Sequence, residues 1–306
     1  MNEHSNATLL KAVTPAYRDL EGTVYALLGV LAFSLTLVAT RVAVPEMGGV
    51  FVGLGRALVA ATLAGLVLLA RGERLPARAH WLGLALTALG VVVGFPVLTS
   101  VALQTVPAIH GVVIVGLLPA ATAVLGVLRA RERVPPLFWG AVVLGIFGIA
   151  VFAVTEGAGT PRLEDAYLVL AVLLGALGYA EGGRLAKDIG GWRVICWALI
   201  VAAPFLVLPV ALNAPRDFSS VTPLAWLCFA YVSVFSMFLG FFAWYHGMAL
   251  AGIARTSQLQ LVQPILSVSW AALLLREGIR VQTVFALFIV LLSVALSRFA
   301  RGRTGA

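Results

Sequence analysis

The sequence predicts an all-helical membrane protein whose ten transmembrane helices form two inverted repeats of five. Three observations support this fold class. The 306 residues are 61% hydrophobic and only 11% charged, whereas soluble domains carry about 25% charged residues. One hydrophobic sequence motif occurs twice, once in each half of the chain. Basic residues concentrate in alternate gaps between the apolar runs, as expected for a multispanning membrane protein.

The repeated motif consists of a proline, an apolar stretch, an Arg-Glu pair and a second apolar stretch. The first copy contains Pro119 and Arg131-Glu132, and the second, 145 positions later, contains Pro264 and Arg276-Glu277. Each copy lies at the end of one half of the chain, so the motif indicates a duplicated unit. If each unit has an odd number of spans, the two units must lie upside down to each other in the membrane.

Ten apolar runs come close to the ~20 residues that a helix needs to cross the hydrocarbon core. In chain order they are Thr23 to Val44, Val50 to Ala70, Ala79 to Leu103, Pro107 to Leu128, Pro136 to Val154, Ala166 to Ala186, Trp192 to Leu212, Pro223 to Leu250, Ile253 to Leu275 and Val281 to Phe299. Five runs fall in each half. The predicted parts are a cytoplasmic tail (1–20), a first repeat (21–155), an outer linker (156–164), a second repeat (165–299) and a second cytoplasmic tail (300–306).

The distribution of Lys and Arg predicts the orientation. With a cytoplasmic amino terminus, fourteen basic residues fall in inner segments and four in outer loops. The net charge of +8 is therefore interpreted as a topology signal and not as a nucleic acid site. No removable signal peptide is expected at the amino terminus. Cys196 and Cys228 both fall inside apolar runs, so they indicate packing rather than a disulfide or metal site.

The second half carries a set of residues whose order resembles the EamA-type units of the drug/metabolite transporter superfamily. They are Trp244, Ala249-Leu250, Gly252, Ala254, Ser257, Pro264 and Glu277. The first half has weaker counterparts at Ala102-Leu103, Pro107, Ala108, Pro119 and Glu132. Among ten-helix members the chain is most similar to the YddG-type exporters of aromatic and other neutral amino acids. The resemblance implies a monomeric permease of a bacterial-type inner membrane that needs no cofactor.

A path for a solute needs polar and aromatic groups on inner helix faces, because polar groups that face lipid are costly. The eighth and ninth runs are the richest in such groups, and close helix packing is the alternative interpretation of each residue. The candidates for substrate binding are Thr36, Phe95, Thr99, His110, Tyr179, Ser236, Trp244, Gln258 and Gln263.

Two ionisable residues are candidates for proton coupling. Glu181 is the acidic residue placed well inside an apolar run, but Arg184 three residues later is positioned to neutralise it. His110 is placed to bind a substrate carboxylate or to titrate during transport. Its alternative is a structural histidine that is hydrogen-bonded to a loop carbonyl.

Other residues carry expectations about mechanics. Pro119 and Pro264 each remove a backbone hydrogen bond in mid-helix, so we expect helices four and nine to bend there as access alternates. Glu277 is expected to cap a helix or fix a loop. Arg41 and Arg56 are expected to anchor helices near the outer ends of runs one and two, and binding of an anionic group is the alternative for both.

The predicted function is export of small solutes, with aromatic and other neutral amino acids as the first choice, by alternating access through a central cavity. The alternatives are efflux of drugs or other metabolites, a channel-like pore and an intramembrane enzyme. The sequence contains no HExxH motif or comparable acidic cluster, which argues against an enzyme and against a metal site.

Overall fold

The computed structural model describes residues 20–130, 135–156, 162–251, 256 and 259–302. Within these ranges the regular structure is helical, with ten helices and one short 3₁₀ turn at Phe218–Ser220. In chain order the helices are α1 (Leu20–Met47), α2 (Gly49–Ala70), α3 (Arg78–Ala102), α4 (Ala108–Leu128), α5 (Pro136–Glu156), α6 (Leu163–Ile189), α7 (Gly191–Leu212), α8 (Pro223–Ala251), α9 (Val262–Leu275) and α10 (Val281–Gly302).

The helices have the length and the apolar surface of membrane spans. Within the described residues, seven are long and apolar enough to cross a bilayer, and α5, α9 and α10 contain shorter apolar segments. Large apolar side chains face outward, such as Leu69, which is 80% exposed, and Phe205, which is 75% exposed. Such surface is stable against lipid and costly against water. The predicted fold class, an all-helical membrane protein with ten helices, is confirmed.

The two five-helix halves pack with an internal two-fold relation. Equivalent helices meet each other in the pairs α2 with α7, α4 with α9 and α5 with α10. The crossed pairs also correspond, because α3 packs on α6 and α8 packs on α1. Since each half has five spans, this relation places the halves in opposite orientations, as in an inverted repeat.

The connection between the first two helices of each half is the same. Gly48 alone links α1 to α2, and Gly190 alone links α6 to α7. Their φ angles are 81° and 88°, in the region that favours glycine because other residues would place a Cβ too close to the backbone. A single residue thus reverses the chain at equivalent points of both repeats.

Several helices lose regular α-geometry halfway along. Residues Ala88–Gly94 of α3 and Tyr231–Leu239 of α8 form π-helical turns, which occur preferentially at functional sites. In α4, Gly116 and Leu117 interrupt the helix just before Pro119. These irregular segments lie at equivalent places in the two halves and surround the centre of the bundle.

A related turn lies just before α9, in which Pro264 is the third residue and not a mid-helix residue as predicted. Gln260 and Leu261 form a turn just before Pro264, and the amide of Gln263 donates to the carbonyl of Gln260 over 3.1 Å. A proline has no amide hydrogen for the carbonyl four residues earlier, so the chain satisfies that carbonyl through a tighter turn. The turns before Pro119 and Pro264 are therefore related by the repeat.

Candidate functional site

The two repeats meet around a central cavity of about 30 Å³. Helices α1, α2, α3, α4, α6, α8 and α9 contribute to its wall, so both halves of the chain are needed to build it. The lining residues are Phe33, Thr36, Leu37, Arg56, Val91, Phe95, Val115, Leu118, Gly175, Tyr179, Ser236, Met237, Phe241 and Gln263.

Aromatic side chains dominate one part of the wall. The ring of Phe33 lies 4.9 Å from that of Phe241 and 6.4 Å from that of Tyr179, centroid to centroid. Behind them Trp244 is fully buried and lies 5.6 Å from Tyr179. Such rings offer a large apolar surface with a defined edge and face geometry. This part of the cavity is suited to an apolar or aromatic group.

Polar groups complete the wall. The hydroxyl groups of Thr36 and Ser236 form a hydrogen bond of 2.8 Å between α1 and α8. Gln263 of α9 also lines the cavity, and its Oε1 atom has no hydrogen-bond partner among the described residues. Buried polar atoms normally have a partner, so Gln263 is available to a group that enters the cavity.

Arg56 differs most from its expected role. The sequence places it near the outer end of the second run, where anchoring was expected, but its exposed fraction is 1% and it lines the central cavity. Arg41 does anchor a helix end, because its Nη1 donates to the carbonyls of Leu103 and Gln104 over 2.7 and 2.9 Å. The two arginines are therefore structurally distinct.

A smaller cavity of about 20 Å³ adjoins the central one between α4 and α9. Its wall contains Pro119 and Pro264, the two predicted hinges, together with Gln260 and Ser267. The two cavities share four lining residues, which are Leu37, Val115, Leu118 and Gln263. Bending at either proline would therefore change the shape of the central cavity.

The remaining predicted site residues lie elsewhere. Thr99 is buried and bonds within its own helix, donating to the carbonyl of Phe95 over 2.7 Å. Glu181 is 2% exposed and accepts from the Arg184 guanidinium at 3.3 Å, away from the cavity wall. Gln258 lies outside the described residues.

His110 forms a buried pair with Asp165. Its Nε2 atom bonds to Oδ1 of Asp165, which joins α4 of the first repeat to α6 of the second. Asp165 also accepts from the Arg162 amide over 2.9 Å and so caps α6. The partner of His110 is thus a carboxylate and not a loop carbonyl. The pair lies outside the cavity lining, so His110 is placed for structure or proton exchange rather than for direct substrate contact.

The loops that follow odd-numbered helices lie at one end of the bundle, which we call the distal end. The end that contains Leu20 and Gly302 is the terminal end. At the distal end, carboxylates bridge the two repeats. Glu46 accepts from both the amide and the hydroxyl of Thr222, and Glu164 accepts from the hydroxyl of Thr105 over 2.8 Å. These contacts hold the distal ends of the two halves together.

The terminal end has a wider groove of about 420 Å³. Glu73 and Arg193 form an ion pair in its wall at 2.7 Å, and Arg74 and Asp188 also line it. The hydrogen bonds from Arg193 hold the pKa of Glu73, which lies in the loop after α2, below its ordinary value. The groove is therefore charged, unlike the aromatic central cavity.

Sequence reasoning missed several residues of the cavity. Phe33 and Met237 are apolar residues in apolar runs, so nothing in the local pattern distinguishes them from lipid-facing positions. Arg56 did carry a signal. It lies two turns inside a run that contains no other charge, and an intramembrane charge is by default a candidate for function.

The size of the central cavity determines what this conformation can bind. A water molecule needs a cavity of roughly 10–15 Å³, so a cavity of about 30 Å³ holds no more than a few waters. Pockets for small organic ligands are on the order of 300–1,000 Å³. A solute can therefore occupy this place only after the helices around it move apart.

The chain is similar to known proteins both in sequence and in fold. A model of the EamA-like transporter family matches the chain twice, over residues 20–154 and 162–299. The uncharacterized transporter YdeK of Bacillus subtilis (strain 168) is 42% identical over 278 residues, which are 90% of this chain and 96% of that protein. A solved crystal structure aligns with a TM-score of 0.62 at 17% sequence identity, over 90% of this chain and 97% of its own length, and shows likeness of fold.

Proposed function

Because the chain belongs to the EamA-like transporter family, we propose that it exports neutral amino acids by alternating access. Aromatic amino acids are the preferred substrates in this proposal. The observation that carries this proposal is the aromatic cavity where the two repeats meet. Phe33, Tyr179 and Phe241 suit an apolar side chain, and the amide of Gln263 suits a polar head group.

The mechanism requires the cavity to open to each side of the membrane in turn. In the present conformation the cavity is too small for an amino acid. Around it, α4 is interrupted before Pro119, a turn precedes Pro264 at the start of α9, and α3 and α8 contain π-helical turns. Irregular backbone next to a cavity is tolerated in membranes, and it gives helices places to bend.

Efflux of cationic drugs is the second candidate. Aromatic faces attract cations, and the cluster of Phe33, Tyr179 and Phe241 offers such faces. Arg56 lines the same cavity, and its positive charge opposes a second positive charge in a site of low dielectric constant. Amino acids are therefore the better match.

The test is uptake by liposomes that contain the purified protein. Radiolabelled phenylalanine, threonine and methionine would be offered with and without preloaded substrate and with and without a pH gradient. We expect saturable uptake of phenylalanine that internal substrate accelerates. Phe241→Ala should raise the KM for phenylalanine about 2- to 13-fold, since an aromatic contact contributes about 0.5–1.5 kcal/mol. Phe147→Ala is the matched control, because Phe147 is 63% exposed on α5.

The same assay distinguishes the alternatives. Uptake no greater than in empty liposomes would remove the amino acid assignment and favour drugs or other metabolites. Flux that internal substrate does not affect would favour a channel. Acceleration by the pH gradient would give Glu181, or the pair of His110 and Asp165, a role in proton coupling, because both sites are buried and ionisable.

A further inference from the structure

We propose that Arg56 binds the carboxylate of the transported amino acid and thereby selects carboxylate-bearing substrates. This inference rests on the proposed function and assigns a specific role to a residue of the same cavity. Arg56 is the eighth residue of α2, which begins at Gly49. At 1.5 Å per residue it lies about 10 Å from the distal end of that helix, well inside the span.

The burial of Arg56 rules out contact with the membrane interface. Its exposed fraction is 1%, and it is among the largest fully buried side chains of the described residues. A side chain that snorkels would place its charged group in water or among lipid headgroups. Arg56 instead lines the central cavity, whose wall also contains Phe95 and Tyr179.

Two of the three guanidinium nitrogens of Arg56 lack acceptors. Among the described residues, neither its Nε nor its Nη1 atom has a hydrogen-bond partner. More exposed arginines of the chain are well bonded, since Arg41 donates to two carbonyls and Arg193 donates to Glu73. A buried charge without a partner is strongly unfavourable. A ligand that brings an anion into the cavity would remove this cost, which gives binding a driving force.

The cavity itself supplies no anion. None of the described residues in its wall is acidic, and its other polar side chains are Thr36, Tyr179, Ser236 and Gln263. A guanidinium forms strong, oriented hydrogen bonds with a carboxylate. The free Oε1 atom of Gln263 then offers an acceptor for an ammonium group. The wall thus matches both charged groups of a zwitterionic amino acid and has an aromatic surface for its side chain.

This assignment predicts selectivity that differs from a purely apolar pocket. Phenylalanine and phenethylamine share the same aromatic ring and amine, but only phenylalanine carries a carboxylate. An apolar pocket alone would accept both compounds. If Arg56 binds the carboxylate, the protein should accept phenylalanine and discriminate against phenethylamine.

The experiment compares uptake of both compounds by wild-type, Arg56→Gln and Arg56→Lys proteins in liposomes. We expect Arg56→Gln to raise the KM for phenylalanine about 10- to 100-fold, as expected for hydrogen bonds to a charged group, and to abolish the preference over phenethylamine. Arg56→Lys should retain part of the preference, since it keeps the charge but loses the planar fork. Arg41→Gln is the matched control and should leave the preference unchanged.

A second measurement does not depend on the variants folding. Phenylalanine should raise the thermal unfolding temperature of the wild-type protein in detergent, because a ligand stabilises the state that it binds, and phenethylamine at the same concentration should not. Wild-type protein that transports and is stabilised by both compounds equally would overturn the role of Arg56 and leave amino acid transport standing. Arg56→Gln with wild-type KM and preference would do the same. Wild-type protein that neither transports nor binds phenylalanine would overturn the proposed function and this role with it.

Discussion

Glu277 shows how one carboxylate can join the two repeats. Its two oxygens accept the amides of Ala108 and Ile109, each over 2.8 Å, at the first turn of α4. These amides have no partner within the helix, and a negative charge at this end also interacts favourably with the helix dipole. The sequence led us to expect a cap or a fixed loop at Glu277. The structure adds that the capped helix belongs to the other repeat.

Removal of this cap should destabilise the protein. We expect Glu277→Ala to lower the free energy of unfolding by about 1 kcal/mol, the usual effect of losing a helix cap. Glu277→Gln should cost less, because the amide keeps one acceptor oxygen. Thermal unfolding in detergent would measure both, with the exposed Gln282→Ala in α10 as the control. Equal stability of Glu277→Ala and Gln282→Ala would contradict the capping role.

Individual residues also show what can and what cannot be predicted from the sequence. Depth within an apolar run identified Glu181 as an unusual charge, and the same criterion applied to Arg56 would have identified the buried cation of the cavity. The partner of His110 was not predictable in this way. Asp165 is 55 positions away and lies in the first turn of α6. Only the packing of α4 on α6 brings the two side chains together.

The helices as elements were predictable because hydrophobicity alone defines them in a membrane. Ten apolar runs correspond to the ten helices. The π-helical turns were not predictable, because a sequence pattern does not reveal where one extra residue enters a turn. Residues Tyr231–Leu239 of the eighth run are π-helical, so the three- and four-residue spacing of a regular α-helix does not apply to them.

Helices α4 and α9 are the elements that we expect to bend during transport. A turn precedes Pro119 within α4 and Pro264 at the start of α9, and both prolines line the cavity that adjoins the central one. The double variant Pro119→Ala/Pro264→Ala supplies the missing amide hydrogens, so it should stiffen both turns and slow substrate exchange, by on the order of tenfold if the barrier rises by about 1.4 kcal/mol. Exchange turnover in liposomes would measure the effect.

A third proline provides the comparison for this test. Pro204 lies inside α7, where its side chain is exposed and outside the cavity walls. Pro204→Ala should leave exchange unchanged. Turnover of the double variant equal to that of wild type would defeat the hinge hypothesis for Pro119 and Pro264.

The cavity belongs to the scale of the whole molecule. Its wall draws on seven helices from both repeats, so no segment of the chain contains enough information to define it. The duplicated motif that contains Pro119 and Pro264 predicted that the two halves are equivalent. The pairing of α2 with α7 and of α4 with α9 is instead a result of tertiary packing. For this reason Phe95 and Gln263 were found from the sequence, whereas Phe33 and Met237 were not.

The orientation in the membrane is also a property of the whole molecule, and it gives the last prediction. The bias of Lys and Arg predicts that the terminal end lies in the cytoplasm and the distal end outside. Ala77 is exposed in the loop between α2 and α3, and Gly278 is exposed in the loop between α9 and α10 with open space around its Cα. The two positions therefore report on opposite sides of the membrane.

The test uses single cysteines in a protein that carries Cys196→Ala and Cys228→Ala. In intact cells, a maleimide that cannot cross the membrane should label Gly278→Cys and should label Ala77→Cys only after the cells are opened. The parent without cysteines controls for background. Labelling of Ala77→Cys but not of Gly278→Cys in intact cells would invert the orientation. The carboxylate bridges made by Glu46, Glu164 and Glu277 would then close the cytoplasmic side and not the outer one, because they all lie at the distal end.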